Sequence, residues 1–336
     1  METVLVTRTD NDGDVLLAGP AVRAVAATAG RVVLLVAPSG EQAAWMLPAV
    51  NDVLVWPCPW SGFEPPPVDP TTIAALIEAL RLERFRRALV LTSHHQSPLP
   101  MALLLRMAGI GEIAAASQDY PGSLLDVRYR PRPGGHEVEC ALALAAAAGY
   151  RLPAEDNCRL AVRNTLPRVT LPEAPFVVVH PGASVPARAP LPEHASRIVA
   201  ALRRAGWNVV VTGSRDEREL TRMVAVAGAE DRGGKTSYRE LAALLTKASC
   251  LVAGNTGPAH LAAAVGTPVV SLFAPVVPVE RWAPWGVPSV VLGDQHTACR
   301  DTRARVCPIA GHPCLSDVAP AEVVSAVAKL TDGVVR

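Results

Sequence analysis

Four short loops of this sequence contain the residue types that could do chemistry. The first, residues 10–14, has three aspartates and one glycine within five positions. A carboxylate beside a flexible glycine suits a general base, because it can approach a hydroxyl group and accept its proton. The same residue types are also typical of a helix N-cap, so both interpretations stay open for this loop on its own.

The second and third loops contain groups that bind phosphate and ribose. In residues 180–184, Gly182 allows close approach of a ligand to the backbone, and Ser184 offers a hydroxyl donor. Arg188, a few residues later, can bind phosphate through two parallel hydrogen bonds. In residues 212–217, a glycine turn precedes Glu217, which could accept hydrogen bonds from ribose hydroxyls. An acidic first turn that complements a helix dipole is the structural alternative for that loop.

The fourth loop, residues 254–260, follows an apolar run and opens a helix with Pro258 near its first position. The first backbone N–H groups of a helix lack partners within it, and together with the helix dipole they bind anions. This loop therefore indicates a phosphate site, although a single glycine turn between a strand and a helix is common in α/β proteins.

Eight apolar, β-branched runs alternate with helical segments and must position these loops. Such alternation predicts right-handed βαβ units and parallel sheets. The rhythm weakens in the Pro- and Gly-rich stretch before residue 172 and then restarts. We therefore predict an α/β protein with two Rossmann-like domains, residues 1–166 and 167–336, facing across a cleft. The last helix is expected to pack back on the first domain. The predicted strands are 3–7, 32–37, 52–55, 88–92, 176–180, 208–212, 250–253 and 268–273.

Composition excludes several other classes of protein. The 336 residues carry a formal net charge of +1, which gives no electrostatic reason to expect nucleic acid as a partner. No apolar stretch reaches the roughly 20 residues that are needed to span a bilayer. The sequence therefore predicts no membrane span and leaves peripheral association with a membrane open. With no basic, apolar leader, the sequence indicates a cytoplasmic monomer whose seven cysteines are free thiols.

A cluster of cysteines and histidine near the carboxyl terminus could assemble metal ligands, yet its spacing matches no tight zinc motif. It consists of Cys299, Cys307, His312 and Cys314. Free thiols are the preferred interpretation, and no metal is assigned.

Together these loops resemble the ADP-heptose:lipopolysaccharide heptosyltransferase family, glycosyltransferase family 9, whose two-domain fold is called GT-B. The matching stretches are VLVTRTDNDGDVLLAGPAVRAV from Val4, VVVHPGAS from Val177, GKTSYRELAALL from Gly234, and GNTGPAHLAAAVGTPVVSLF from Gly254. The last stretch is the most specific, because it is long and not general to α/β folds. The resemblance covers most of the chain.

This resemblance implies an inverting sugar transfer that needs no metal and no cofactor. The family's catalytic base corresponds to Asp14, and its diphosphate-binding lysine corresponds to Arg188, which keeps the charge but spreads it over a planar fork. The donor, a nucleoside-diphosphate sugar, is expected to contact Ala183, Ser184, Arg188, Thr212, Gly213, Glu217, Asn255, Thr256, Gly257, Pro258 and His260. The hydroxyl acceptor, a glycolipid, oligosaccharide or small-molecule glycoside, is expected near Asp10, Asp12, His94, His95, Gln96, Tyr120 and His136.

One residue departs from the family pattern. Similar enzymes usually carry an aspartate where this chain has Asn255. A neutral amide in place of a carboxylate could change the preferred sugar, so the resemblance leaves the identity of the donor open. Two alternatives also stay open: a nucleotide-sugar 2-epimerase, which would use no acceptor, and a non-catalytic nucleotide-sugar-binding protein.

Overall fold

The computed structural model describes residues 2–131 and 134–331, which form two compact α/β units. The chain passes from the first unit to the second between Val162 and Arg163, whereas the sequence predicts this passage after residue 166. Both units are built on parallel sheets whose strands are joined through helices. Val, Leu and Ala dominate the buried residues, as the low aromatic content of 4% requires.

In the first unit, the described residues form a six-stranded sheet in the order β3-β2-β1-β4-β5-β6, with all pairs parallel. The strands are β1 Thr3–Arg8, β2 Arg31–Val36, β3 Asp52–Val55, β4 Arg87–Val90, β5 Glu112–Ala116 and β6 Val127–Tyr129. The helices are α1 Asp12–Ala26, α2 Glu41–Met46, α3 Pro70–Glu83, α4 Leu99–Met107 and α5 Glu137–Ala147.

The order of strands places two loops side by side in the first unit. Strand β1 pairs with both β2 and β4, so the direction of chain progression reverses between β1 and β4. In open parallel sheets, ligands bind outside the carboxyl ends of the strands at this reversal. The loop after β1, residues 9–11, and the loop after β4, residues 91–98, therefore occupy the usual position of a functional site.

The described residues of the second unit form a sheet in the order β12-β11-β10-β7-β8-β9, again with all pairs parallel. Its strands are β7 Phe176–His180, β8 Asn208–Val211, β9 Glu230–Asp231, β10 Cys250–Gly254, β11 Val269–Leu272 and β12 Ser289–Leu292. Its helices are α6 Pro192–Arg204, α7 Arg218–Val224, α8 Tyr238–Leu245, α9 Gly257–Ala264, α10 Val279–Trp282, α11 Pro313–Ser316 and α12 Pro320–Thr331. Here the reversal lies between β7 and β10.

Helix α12 packs against α6 and against strands β10, β11 and β12, all of which belong to the second unit. Helix α12 thereby adds Val323, Ala326 and Val327 to the core of its own unit. Packing of the last helix on the first domain stays a prediction. Over residues 2–131 and 134–331, none of the helices combines the length and the apolar character needed to cross a bilayer.

Candidate active-site loops

The N-cap of α1 is Asn11, so the aspartates of the first loop are not used as caps. The Asn11 side-chain oxygen accepts hydrogen bonds from the backbone N–H groups of Gly13, at 3.1 Å, and Asp14, at 3.4 Å. Asp12 instead accepts the N–H of Ala43 at 2.9 Å and thereby ties α1 to α2. Burial raises the pKa of Asp12 to about 6. This structural contact accounts for one oxygen of Asp12, and acceptor binding by Asp12 stays a prediction.

A buried guanidinium lies at the centre of the first loop. Arg8, the last residue of β1, has its Nε 2.8 Å from Asp10 Oδ2. Its Nη2 donates to Asp14 Oδ1 at 3.1 Å and to Ser93 Oγ at 2.9 Å, and lies 3.5 Å from Glu137 Oε2. The carboxylates around it raise the pKa of Arg8 against the opposing effect of burial. Arg8 is therefore a permanent cation shared by three carboxyl groups.

The three carboxyl groups around Arg8 differ in their access to solvent. The Asp14 side chain keeps 15% of its surface exposed, compared with 9% for Asp10 and 3% for Glu137. A general base must reach the proton that it removes. The geometry therefore favours Asp14 as the base among these carboxylates, in agreement with the residue that the family resemblance singles out.

Asp10 and Gln96, both predicted to bind an acceptor, bind each other. Gln96 Nε2 donates to Asp10 Oδ1 at 2.6 Å, and the hydroxyl of Ser93 lies 3.5 Å from Asp10 Oδ2. Gln96 Oε1 in turn accepts the N–H of Ser93 at 3.1 Å. Burial raises the pKa of the Asp10 carboxyl, and Arg8 opposes that effect. Asp10 thus belongs to the interior of the loop cluster, and acceptor binding by Asp10 stays a prediction.

The remaining acceptor candidates lie in two kinds of place. His136 is buried and is the N-cap of α5: its Nδ1 accepts the N–H of Val138 at 3.2 Å, so a structural role explains it. His94 and His95 are exposed in the loop after β4 and contact each other edge to face, with ring centroids 5.4 Å apart. Tyr120 is 85% exposed. For His94, His95 and Tyr120, acceptor binding stays a prediction.

The predicted donor residues of the second unit are brought together at the ends of β8, β7 and β10, which are neighbouring strands. A Cβ added to Gly182 would lie 1.9 Å from Glu217 Oε1, and one added to Gly254 would lie 2.3 Å from the carbonyl oxygen of Arg188. The approach at Gly254 is to a backbone atom and is possible only for glycine, whereas the approach at Gly182 is to the end of the flexible Glu217 side chain. The loops that carry Gly182, Glu217, Arg188 and Gly254 therefore form one continuous surface.

A buried histidine links two of these loops. His180 Nδ1 lies 3.0 Å from Thr212 Oγ1, and its Nε2 lies 3.8 Å from Glu217 Oε2. Burial lowers the pKa of His180, with the nearby carboxylate opposing, so the ring is neutral at physiological pH. Glu217 also accepts the N–H of Ser214 at 2.7 Å. These contacts hold the Glu217 carboxylate at the carboxyl ends of β7 and β8. Ribose binding by Glu217 stays a prediction.

The start of α9 has the features of an anion site. Its N-cap, Thr256, makes no side-chain capping hydrogen bond, and the first turn contains no acidic residue. Thr256, Gly257 and Pro258 are partly exposed, whereas His260, one turn later, is buried. An uncapped helix start directs its first N–H groups and the positive end of its dipole outward. This arrangement suits a phosphate.

Asn255, immediately before that helix, is only 5% exposed, and its Nδ2 has no hydrogen-bond partner among the residues that the structure describes. A buried, unsatisfied amide costs roughly 1–3 kcal/mol. A ligand oxygen that accepted its N–H groups would recover that free energy.

Three donor candidates from the loop after β7 accompany the α9 start. Ala183 and Arg188 are partly buried, and Ser184 is exposed. Arg188 ends the short 3-10 turn Pro186–Arg188, which follows that loop. The second unit thus combines an uncapped helix start, a buried amide and a nearby cation, a set of groups that can neutralise a diphosphate.

The carboxyl-terminal cysteines are thiols within the core of the second unit. Cys299 and Cys314 are buried and Cys307 is half-buried. Burial raises the pKa of Cys314 to about 12, and Cys299 and Cys307 add to the shift. Within residues 2–131 and 134–331, no group of three or more His, Cys, Asp or Glu side chains could hold a metal ion.

Sequence reasoning misses Arg8, Ser93 and Glu137 as members of the first cluster. Ser93 is 85 residues from Arg8 along the chain and Glu137 is 129 residues away, so no local pattern shows these contacts. One signal was available: a buried strand that ends in arginine needs a carboxylate partner in the fold.

Comparison with known proteins gives consistent results. The family model described as glycosyltransferase family 9 (heptosyltransferase) matches residues 73–312. Lipopolysaccharide heptosyltransferase 3 of Escherichia coli strain K12 is 26% identical over 226 residues. That alignment covers 63% of this chain and 65% of the relative, so the chain spans just under two thirds of the relative's length.

Two solved structures match nearly the whole chain. E. coli ADP-heptose lipopolysaccharide heptosyltransferase II has a TM-score of 0.72 at 20% identity, with 99% of each chain covered. E. coli heptosyltransferase WaaC with ADP-2-deoxy-2-fluoro heptose also has a TM-score of 0.72 at 20% identity, covering 97% of this chain and 99% of the other. At this identity the likeness shows the fold alone, and it confirms the predicted α/β class of the GT-B type.

Proposed function

Because this chain belongs to glycosyltransferase family 9, the heptosyltransferase family, we propose that it transfers a sugar from an ADP-sugar, heptose first among candidates, to an acceptor hydroxyl. The observation that carries the proposal is the start of α9. There an uncapped helix end, free of acidic residues, lies beside the buried amide of Asn255, whose Nδ2 finds no partner within residues 2–131 and 134–331. These groups need an anionic, oxygen-rich ligand, and a nucleoside diphosphate is one.

In the proposed reaction, Asp14 accepts the proton of the acceptor hydroxyl as that oxygen attacks the anomeric carbon. The bond from this carbon to the diphosphate breaks, and the nucleoside diphosphate leaves with its electron pair. A single displacement of this kind inverts the anomeric configuration. Departure of the diphosphate is the demanding part, so fixed positive charge at the leaving group contributes most to the rate. Arg188 and the amides at Thr256 and Gly257 would supply that charge without a metal ion.

The donor-site residues also bear on which sugar is used. Asn255 offers both a donor and an acceptor, whereas the aspartate usual in similar enzymes only accepts. The relatives are named for lipopolysaccharide and for ADP-heptose, which supports a glycolipid or oligosaccharide acceptor and an adenine nucleotide. From the sequence we also propose that the protein is cytoplasmic and monomeric.

The first experiment is a donor screen by thermal unfolding. ADP-, GDP- and UDP-sugars are added in turn, each with the free nucleotide as its control. A ligand at a hundred times its dissociation constant stabilises the folded protein by about 2.7 kcal/mol, which is readily measured. Stabilisation by ADP-heptose above the other donors supports the proposal. Equal and negligible shifts with every nucleotide would contradict it.

The second experiment separates transfer from the alternatives. The donor that binds is incubated with lipopolysaccharide core or other glycolipid acceptors, and with no acceptor at all. Transfer adds the mass of one sugar to the acceptor and releases nucleoside diphosphate, and the anomeric proton coupling reports inversion. Epimerised sugar in the absence of acceptor would favour a 2-epimerase. Tight donor binding with no turnover on any acceptor would favour a non-catalytic binder.

A further inference from the structure

Arg8 is an unusual residue at the end of a central strand, because its charged side chain is only 3% exposed. Groups from four places in the first unit converge on it: Asp10 after β1, Asp14 on α1, Ser93 after β4 and Glu137 on α5. Burying a charge is costly unless several partners compensate for it. The partners that compensate the charge of Arg8 are in turn fixed in position by it.

We propose that Arg8 is a positioning residue for the base, and that Asp10, Ser93 and Glu137 form the frame that fixes its guanidinium. The proposal rests on the proposed function, since it assigns Asp14 the role of base. Arg8 Nη2 donates to Asp14 Oδ1 at 3.1 Å. One carboxylate oxygen is thereby anchored, and the orientation of the carboxylate follows the guanidinium.

The frame around Arg8 is itself held by hydrogen bonds. Gln96 donates to Asp10 Oδ1 at 2.6 Å, while Asp10 Oδ2 lies beside Arg8 Nε. The Ser93 hydroxyl accepts from Arg8 Nη2 at 2.9 Å. These contacts come from loops at the reversal of strand order, whereas Asp14 lies in the first turn of α1. Arg8 therefore links the orientation of the Asp14 side chain to the loops at the carboxyl ends of β1 and β4.

A planar, forked cation is needed for this geometry. Arg8 uses its Nε side toward Asp10 and its Nη2 toward Asp14, Ser93 and Glu137. A lysine ammonium is a point charge and cannot maintain contacts on both sides at once. Substitution by lysine keeps the charge of the cluster and removes the fork, so it tests orientation separately from charge.

The charges of the cluster offer a second way to test the role of Arg8. Three carboxyl groups face one cation, and the thiol of Cys58 also faces Asp10. Burial and the nearby Asp14 raise the pKa of Asp10, while Arg8 lowers it. Removing the Asp10 charge therefore loosens the hold on the Arg8 guanidinium without changing the shape of the cluster.

The experiment compares Arg8→Lys with a matched control, Arg23→Lys. Arg23 lies on α1 and forms a forked pair with Asp156, at 2.7 and 2.8 Å, with a side chain 15% exposed. It makes no contact with the Arg8 cluster among the contacts described. We expect kcat of Arg8→Lys to fall by about tenfold to a hundredfold, since misplacement of a reacting group by about 1 Å has that effect. The dissociation constant for ADP should stay within about twofold of wild type, and Arg23→Lys should change neither quantity.

Asp10→Asn is the second variant, because it preserves shape if Arg8→Lys fails to fold. Removing the carboxylate charge beside Arg8 Nε loosens the guanidinium, so kcat should fall by about tenfold while the dissociation constant for ADP stays within about twofold of wild type. A folded Arg8→Lys with the kcat of Arg23→Lys would overturn the positioning role. If Arg8→Lys does not fold, a folded Asp10→Asn with the kcat of Arg23→Lys overturns it.

A structural readout keeps this proposal distinguishable from the proposed function. Crystal structures of wild type and of the variant that folds should show the Asp14 carboxylate displaced in the variant, with Asn11 still capping α1. An unmoved Asp14 would overturn the positioning role even in an inactive enzyme. If wild-type protein transfers no sugar, yet Asp14 is displaced in the variant, the proposed function is overturned and the positioning role stands.

Discussion

Two helices of this molecule begin beside a reversal of strand order and treat their N-termini in opposite ways. Helix α1 follows β1 and helix α9 follows β10, each a central strand next to the reversal of strand order. The start of α1 is capped by the Asn11 side chain and carries two acidic residues in its first turn. The start of α9 has no side-chain cap and no acidic residue in its first turn.

The difference shows what each helix start can bind. Negative charges of the chain itself already occupy the positive end of α1, and one of them, Asp14, stays partly exposed. The positive end of α9 carries no such charge and suits an anion from outside the chain, such as the proposed diphosphate. The choice of residues in two loops thus separates the proposed base from the proposed anion site.

The largest expected effect comes from Asp14→Asn, which removes the acid–base function of the α1 start and keeps its size. General base catalysis contributes about a hundredfold to ten-thousandfold, so kcat should fall by that factor. Steady-state kinetics would measure the loss, and calorimetry with ADP would show an unchanged dissociation constant. A rate within about threefold of wild type would remove Asp14 from the mechanism.

Thr256→Asp should have the next largest effect, because it places an acidic residue at the start of α9, as Asp12 and Asp14 are placed at the start of α1. The carboxylate adds a negative charge at the positive end of the helix, where Pro258 has no N–H group to be capped. The same charge should repel a diphosphate and weaken ADP binding by about tenfold or more. Thr256→Ser is the control, since it changes no charge. Unaltered ADP affinity in Thr256→Asp would mean that the diphosphate binds elsewhere.

Asp12→Asn should have the smallest effect, on stability. Burial raises the pKa of folded Asp12 to about 6 from a reference value of 3.8. Between these two values the folded state binds more protons than the unfolded state, so the Asp12 contribution to stability falls as pH rises through this window.

The asparagine variant avoids that loss. It should be more stable than wild type by about 1 kcal/mol at pH 8, and the difference should disappear near pH 4. The figure is kept low because the α1 dipole favours a negative charge at this position. Urea unfolding across this pH range would measure it. A constant difference at all pH values would show that Asp12 titrates normally in the folded protein.

Much of the fold was predictable because the strands that matter most are apolar and β-branched. Strands 52–55 and 176–180 were predicted with the bounds that the structure has, Asp52–Val55 and Phe176–His180. Four strands of the described chain were not predicted. Strand β5 is mostly alanine, and β6 and β9 have only three and two residues. Strand β12 has the apolar signal in Ser-Val-Val-Leu but is short and lies at the edge of its sheet with alternating exposure.

The candidate site was predictable where it depends on local motifs and not where it depends on distant contacts. The loops around Gly182, Glu217 and Gly254 were identified from glycine and polar spacing, and the structure brings them together. The internal roles of Asp10 and His136 were not foreseen, because their partners come from other elements of the fold. Burial, which decides whether a polar residue is offered to a ligand, is a property of the folded chain.

The contact between Gly254 and the carbonyl of Arg188 sets a mechanical relation between two donor loops. With 2.3 Å available, a single methyl group at position 254 would force the turn Pro186–Arg188 away from the sheet. The absence of a side chain at Gly254 thus determines how closely this turn approaches strand β10, and with it where the Arg188 side chain begins. An alanine at position 254 would therefore move the Arg188 side chain relative to the α9 start while every charge stays the same.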